Sequence, residues 1–154
     1  MREDARWMSL ALEEARKAQG EVPVGALLIF EGEVIAADHN RMEERQEAMA
    51  HAEMLALQSG ARALGRWRLH GTTLYTTLEP CAMCAGAILL SRIDRLVWGA
   101  PDHRHGAAGS WVNLFREDHP THRLEIVGGI LAEESAALMQ RFFRMRRNQS
   151  RGKG

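Results

Sequence analysis

Short apolar runs of strand length alternate with segments of helical spacing along most of this chain, and that alternation limits the fold more than any other feature. Residues 4–18 place Trp7, Met8, Leu10, Ala11, Leu12, Ala15 and Ala18 on one broad face, with Glu13, Glu14, Arg16 and Lys17 largely opposite. This is the pattern of an amphipathic helix, with Gly20 as its stop. GALLIF at 25–30 reads as a buried strand, Glu31-Gly32 as a turn, and residues 33–37 as the returning strand of a hairpin. Residues 41–50 are polar and predict a loop. A helix is predicted over 51–59, stopped by Gly60. TTLYTT at 72–77 is rich in β-formers. Pro80 and Cys81 predict a helix start, with the helix reaching about Ser91. Strands are predicted at 95–99 and 124–127, separated by a loop over 100–122 with a short helix near 111–115. A last helix is predicted over 132–147. Strands that alternate with helices bury their apolar faces in layers. The expected fold is therefore α/β, a three-layer α/β/α sandwich around a mixed, partly parallel sheet of about five strands.

No repeat or linker divides the 154 residues. One domain, 1–154, is expected, with 148–154 as a flexible basic tail. An apolar share of 45% and a charged share of 26% suit a globular protein. No apolar run approaches the ~20 residues that cross a bilayer. The opening residues Met1, Arg2, Glu3 and Asp4 lead into a charged segment rather than an apolar leader core, so a cytoplasmic location without membrane attachment is expected.

Charge is balanced in total and uneven in place. All twenty acidic residues precede residue 140, whereas Arg141, Arg144, Arg146, Arg147, Arg151 and Lys153 follow it. The last stretch thus carries six positive charges against six net negative charges before it. Such a stretch is either a solvated helix face or a contact for phosphates.

Chemistry concentrates in two short motifs, HAE at 51–53 and PCAMC at 80–84. Cys81 and Cys84 are the only cysteines, three residues apart, which suggests a metal site or a redox pair rather than a disulfide scaffold. With His51 they supply three zinc ligands and leave a fourth tetrahedral position open. Near a helix start, Cys81 and Cys84 share a face, and the helix dipole favours their thiolates. Glu53 would be the proton-transfer group. Residues two apart in a regular helix point about 200° apart. His51 and Glu53 can therefore serve one pocket only if His51 stands at the helix entrance. From spacing alone, a structural zinc clip completed by another histidine and a thioredoxin-like redox pair stay open.

HAE followed by PCxxC is the signature of the cytidine deaminase superfamily, in which such a site carries zinc and an acid/base glutamate. The resemblance goes further. EVPVGA at 21–26, HNR at 39–41, AHAE at 50–53, TLEPCAMCAG at 77–86, GAAGS at 106–110 and FFRMRR at 142–147 resemble the bacterial tRNA-specific adenosine deaminases, from about residue 4 to 147. Met42 departs from the proline that family often places there, in a stretch unusually rich in charge.

The resemblance implies a cytidine deaminase-like fold, one zinc ion per subunit and a homodimer. It implies hydrolysis of adenosine to inosine at the wobble position of a transfer RNA anticodon stem-loop. In that reaction Glu53 shuttles protons and a zinc-bound hydroxide attacks C6. Asn40 would read the flipped base, and Asp102 would face the sugar-phosphate of the target nucleotide. Phe143 and Arg146 would contact RNA by stacking and phosphate pairing, with at least one residue of the Phe142–Phe143 pair in the core. Read as residues alone, Asn40 and Asp102 serve equally well as turn residues. Two rivals remain at this level: a deaminase of free guanine, cytosine or a nucleotide, and an RNA-binding module with structural zinc.

Overall fold

A computed structural model describes residues 2–152. Helix α1 spans Arg2–Ala15, and strands β1 (Gly25–Phe30) and β2 (Glu33–His39) form the hairpin. The short α2 (Met42–Arg45) and the longer α3 (Ala52–Leu64) follow. Then come β3 (Thr72–Leu78), α4 (Ala82–Leu90), β4 (Arg95–Ala100), β5 (Glu125–Val127) and α5 (Ala132–Gly152).

The five strands form one mixed sheet in the order β2-β1-β3-β4-β5. β1 runs antiparallel to β2 and β3, whereas β3, β4 and β5 are parallel. Successive side chains of a strand point to opposite faces, and the two faces bury separate clusters. Ala26, Leu28, Leu74 and Leu96 meet Ala52, Ala56 and Leu57 of α3 and Ile88 of α4. Leu27, Ile29, Tyr75 and Val97 meet Trp7, Met8 and Ala11 of α1. The expected three-layer α/β arrangement with five strands is the one observed.

Boundaries differ from the sequence expectation where tertiary contact overrides a local signal. α3 does not stop at Gly60. A side chain there would collide with the Leu28 side chain of the sheet, so this glycine permits close packing. The true end is Gly65, in the left-handed conformation at φ 68°. The short helix expected near 111–115 is absent; an antiparallel bridge between Ala108 and Asn113 holds that stretch as a loop. Residues 42–45 form a helical turn inside the expected loop. The Glu21 carboxylate accepts the N–H groups of Glu43 and Glu44, which would otherwise lack partners. α5 continues past Arg147 into the expected tail, while Lys153 and Gly154 of that tail lie outside the described residues. Among the described residues no helix is long and apolar enough to cross a membrane.

The strand directions gather the site. In β1–β2 pairing Gly25 lies opposite His39, and in β3–β4 pairing Leu78 lies opposite Ala100. Because β1 is antiparallel to β3, one edge of the sheet collects four segments. These are the approach to β1, the exit of β2 at Asn40, the exit of β3 at Glu79–Cys81, and the exit of β4 at Pro101–Asp102. Ligand sites in open α/β sheets sit at such carboxyl ends.

Candidate metal centre and its rim

Two helix entrances meet at this edge. His51 is the N-cap of α3, with extended backbone at φ −75° and ψ 148°. Cys81 is the N-cap of α4, at φ −75° and ψ 176°. An N-cap side chain ordinarily accepts a hydrogen bond from the first turn. Neither of these does so, and both side chains turn instead to the same point. His51 Nδ1 lies 3.7 Å from Cys81 Sγ and 3.5 Å from Cys84 Sγ. The ligand atoms of His51, Cys81 and Cys84 all fall within 4.8 Å of one another. Tetrahedral zinc with ordinary bond lengths sets its nitrogen and sulfur ligands about 3.6 Å apart. The spacing and the soft three-donor set therefore fit one zinc ion.

The thiols themselves call for a cation. The Cys84 thiol donates to Cys81 and, with His51, pulls the Cys81 thiol down to about 3. The Cys84 thiol is pushed up, first by that same hydrogen bond and then by burial. Without a metal, only one of the two sulfurs is readily ionised; a divalent cation removes that conflict.

Glu53 is the second residue of α3, 4% exposed. The helix-entrance condition on His51 is met: His51 leaves the extended segment while Glu53 leaves the first turn, and the two side chains are close enough to interact. Cys81, Cys84 and His51 all act electrostatically on the Glu53 carboxyl. Burial is the largest influence and raises that carboxyl to about 7. Among the described residues no arginine or lysine pairs with it. It is thus a carboxyl able to hold or release a proton near neutrality.

The rim residues are placed differently. Asn40 is 5% exposed, and its side chain is engaged within the protein. Its Oδ1 accepts the Ala52 N–H at 2.9 Å, satisfying the first turn of α3 that His51 leaves uncapped. Its Nδ2 donates to the Val22 carbonyl at 3.0 Å. Asp102 Oδ1 accepts the N–H groups of Arg104 and His105, each at 3.1 Å, which fixes a turn. Phe143 is 45% exposed and packs edge-to-face on Phe142, with ring centres 5.3 Å apart. Phe142 is half-buried, so neither phenylalanine is fully in the core. Arg146 lies over the Phe142 ring at 5.5 Å and donates to the Gly20 carbonyl at 3.3 Å. His51, Cys81 and Cys84 are thus brought together with Glu53 beside them, Asn40 binds the first turn of α3 between His51 and Glu53, and Phe143 and Arg146 contact Phe142 and Gly20 rather than these residues.

Sequence reasoning missed Glu79. It is 1% exposed, two residues before Cys81. Its carboxylate accepts the N–H groups of Asp102, Ala108 and Ser110 at 3.0, 2.9 and 3.1 Å, and the Ser110 hydroxyl as well. Burial alone would raise it, but the Ser110 hydroxyl and the Asp102, Ser110 and Ala108 N–H groups outweigh burial and hold it below the usual carboxylate range. The one signal in the sequence was an acidic residue inside an otherwise apolar strand-to-helix corner.

Residues 1–100 match the cytidine and deoxycytidylate deaminase zinc-binding region. A tRNA-specific adenosine deaminase of Bacillus subtilis is 47% identical over 153 residues, spanning 98% of this chain and 95% of the relative. Among solved structures, a tRNA:A34 deaminase studied for A-to-I editing at the wobble position superposes with a TM-score of 0.83. Its identity is 44%, over 86% of this chain and 98% of that one. A guanine deaminase from Nitrosomonas europaea superposes with a TM-score of 0.74 at 25% identity, over 90% of this chain and 83% of that one. With ligand spacing, fold and sequence in agreement, the chain belongs to the cytidine and deoxycytidylate deaminase zinc-binding family, on the branch of the tRNA-specific adenosine deaminases.

Proposed function

We propose that this protein hydrolyses adenosine to inosine and ammonia at the wobble position of a transfer RNA anticodon. The observation that carries the reading is the Glu53 carboxyl, buried and raised to about 7 beside the three-ligand His51, Cys81 and Cys84 cluster. A purely structural zinc clip has no need of it. Zinc held there by His51, Cys81 and Cys84 would supply Lewis acidity and make water acidic enough to deprotonate near neutrality. Glu53 accepts a proton from the attacking water. It then protonates N1 of adenine as the C6–O bond forms, takes up the remaining proton of the new C6 hydroxyl, and passes that proton to the amine as the C6–N bond breaks and ammonia leaves. His51, Cys81 and Cys84 fix the metal, and Asn40 fixes the α3 entrance from which His51 and Glu53 project.

Transfer RNA is favoured as substrate by the named relatives at 47% and 44% identity. Exposed arginines along α5 add to this, because phosphate contacts dominate RNA affinity. Phe143 and Arg146 serve there as a stacking surface and a phosphate contact. Asn40 retains a second Nδ2 hydrogen for the base, and Asp102 orients the turn that faces the nucleotide's sugar. Unstacked loop bases lower the cost of extrusion. In this reading the enzyme works in the cytoplasm as a homodimer. The exposed Trp67 and Leu90, 56% and 61% accessible, are the apolar surface suited to a second copy.

A second reading, deamination of free guanine, has in its favour the likeness to the Nitrosomonas enzyme. Ammonia release decides between them. The zinc-loaded protein should release ammonia from an anticodon stem-loop bearing adenosine at the wobble position, and not from free bases. Release from free bases alone would overturn the transfer RNA assignment.

A further inference from the structure

Glu79 is an expensive residue to bury, and its surroundings indicate what it is for. A carboxylate removed from water needs full hydrogen-bond compensation. Its donors here come from a single loop: the N–H groups of Asp102, Ala108 and Ser110 and the Ser110 hydroxyl. They lie 23 to 31 residues downstream of Glu79. The same loop is stitched to the metal-binding segment. The Ala107 N–H donates to the Pro80 carbonyl at 2.8 Å, and Cys81 and Gly106 form an antiparallel bridge. Gly106 carries no side chain because a Cβ would strike the Glu79 carboxyl and the Asp102 carbonyl. This loop holds Asp102, Arg104 and His105 in a tight turn and leaves Trp111 60% exposed.

We propose that Glu79 is a positioning residue for the reaction, whose carboxylate holds the 102–110 loop as a substrate-binding wall in fixed register with the zinc-ligand segment at Cys81. Glu79 is 1% exposed and is not among the clustered donors His51, Cys81 and Cys84, so its part is to hold the loop. The inference rests on the reading of the chain as a transfer RNA deaminase. The two carboxyl oxygens of Glu79 accept three N–H groups and one hydroxyl; a carboxamide at the same place turns two donors toward N–H groups.

The test uses the full zinc-loaded chain with an anticodon stem-loop. Glu79→Gln should retain one zinc per chain and raise KM for the stem-loop roughly tenfold, with kcat changed by less than about threefold. Amide exchange should accelerate at Asp102, Ala108 and Ser110 and stay unchanged across α1. Ser110→Ala removes one donor and should raise KM about threefold; it decides the matter on the same criterion if Glu79→Gln does not fold. An unchanged KM, a fall confined to kcat, loss of zinc, or unchanged exchange in the loop would each overturn the proposal. Failure of the functional reading is distinguishable: the wild-type protein would then make no inosine, while the exchange comparison would still report on the loop.

Discussion

Glu53 and Glu79 are both buried glutamates at one edge of the same sheet, 4% and 1% exposed, and their surroundings drive them apart. Glu53 lies at the entrance of α3 beside the metal ligands, and burial raises it to about 7. Glu79 lies at the corner before α4, and the Ser110 hydroxyl and three N–H groups overcome burial and keep it charged. The difference teaches how one site divides its work. A carboxyl whose burial is not compensated can exchange protons near neutrality, whereas a fully compensated one holds backbone in place. Each substitution below is aimed at one side of that contrast.

The largest effect is expected from Cys84→Ala, which leaves two protein ligands. Metal analysis should find the zinc lost and deamination gone, and a variant that keeps one tightly held zinc per chain would refute the ligand assignment. Glu53→Ala should leave zinc and fold intact while turnover falls by roughly 10³-fold, as expected for loss of an acid/base group. Surviving activity would show that the two glutamates do not differ in the way described. Asn40→Ala removes the acceptor for Ala52 N–H and the donor to Val22. Denaturant unfolding should register a loss of about 2 kcal/mol, and an unchanged stability would mean that the α3 entrance does not depend on it.

A third buried carboxylate, away from the metal cluster, sharpens the contrast through stability alone. Asp4 accepts from the two terminal nitrogens of Arg95, at 2.6 and 2.7 Å, and from the Tyr75 hydroxyl at 2.6 Å. The Arg95 hydrogen bonds lead in lowering it from 3.8 to about 2. Its folded pKa is depressed, so the stability it contributes is fully present above pH 4 and lost as pH falls from about 4 toward 2. That contribution is about 2 kcal/mol. Acid unfolding of Arg95→Met should lack it, and an unchanged acid profile would remove the ion pair from the account.

Much of this contrast was legible in the chain, and the rest was hidden for physical reasons. GALLIF was read as a strand over the residues where β1 lies, because an unbroken apolar run admits few other states in a layered fold. HAE and PCAMC together pointed to a metal-ligand set because they combine three zinc-type donors with a carboxylate, although spacing alone left a structural clip and a redox pair open. Gly60 misled, since a glycine needed for close approach to Leu28 looks in sequence like a helix stop. Trp111–Phe115 misled because its conformation is set by Trp111 and Leu114 N–H groups that donate to Gly106 and Ala107 and by the Ala108–Asn113 bridge rather than by local preference. Glu79 stayed hidden because its partners lie far downstream in a Gly-rich loop that carries no strong local signal. Asn40 and Asp102 were visible as candidate residues, but their engagement with Ala52, Arg104 and His105 emerges only in three dimensions.

The central claim is that Glu53 moves the protons of an adenosine deamination at the anticodon wobble position. Its most direct test is to incubate transfer RNA with the zinc-loaded wild-type chain and with zinc-loaded Glu53→Gln, and to sequence the anticodon for inosine. The account predicts inosine at the wobble position with the wild-type chain and essentially none with the variant at equal zinc content. Equal inosine from both proteins, or none from the wild-type chain, would contradict it.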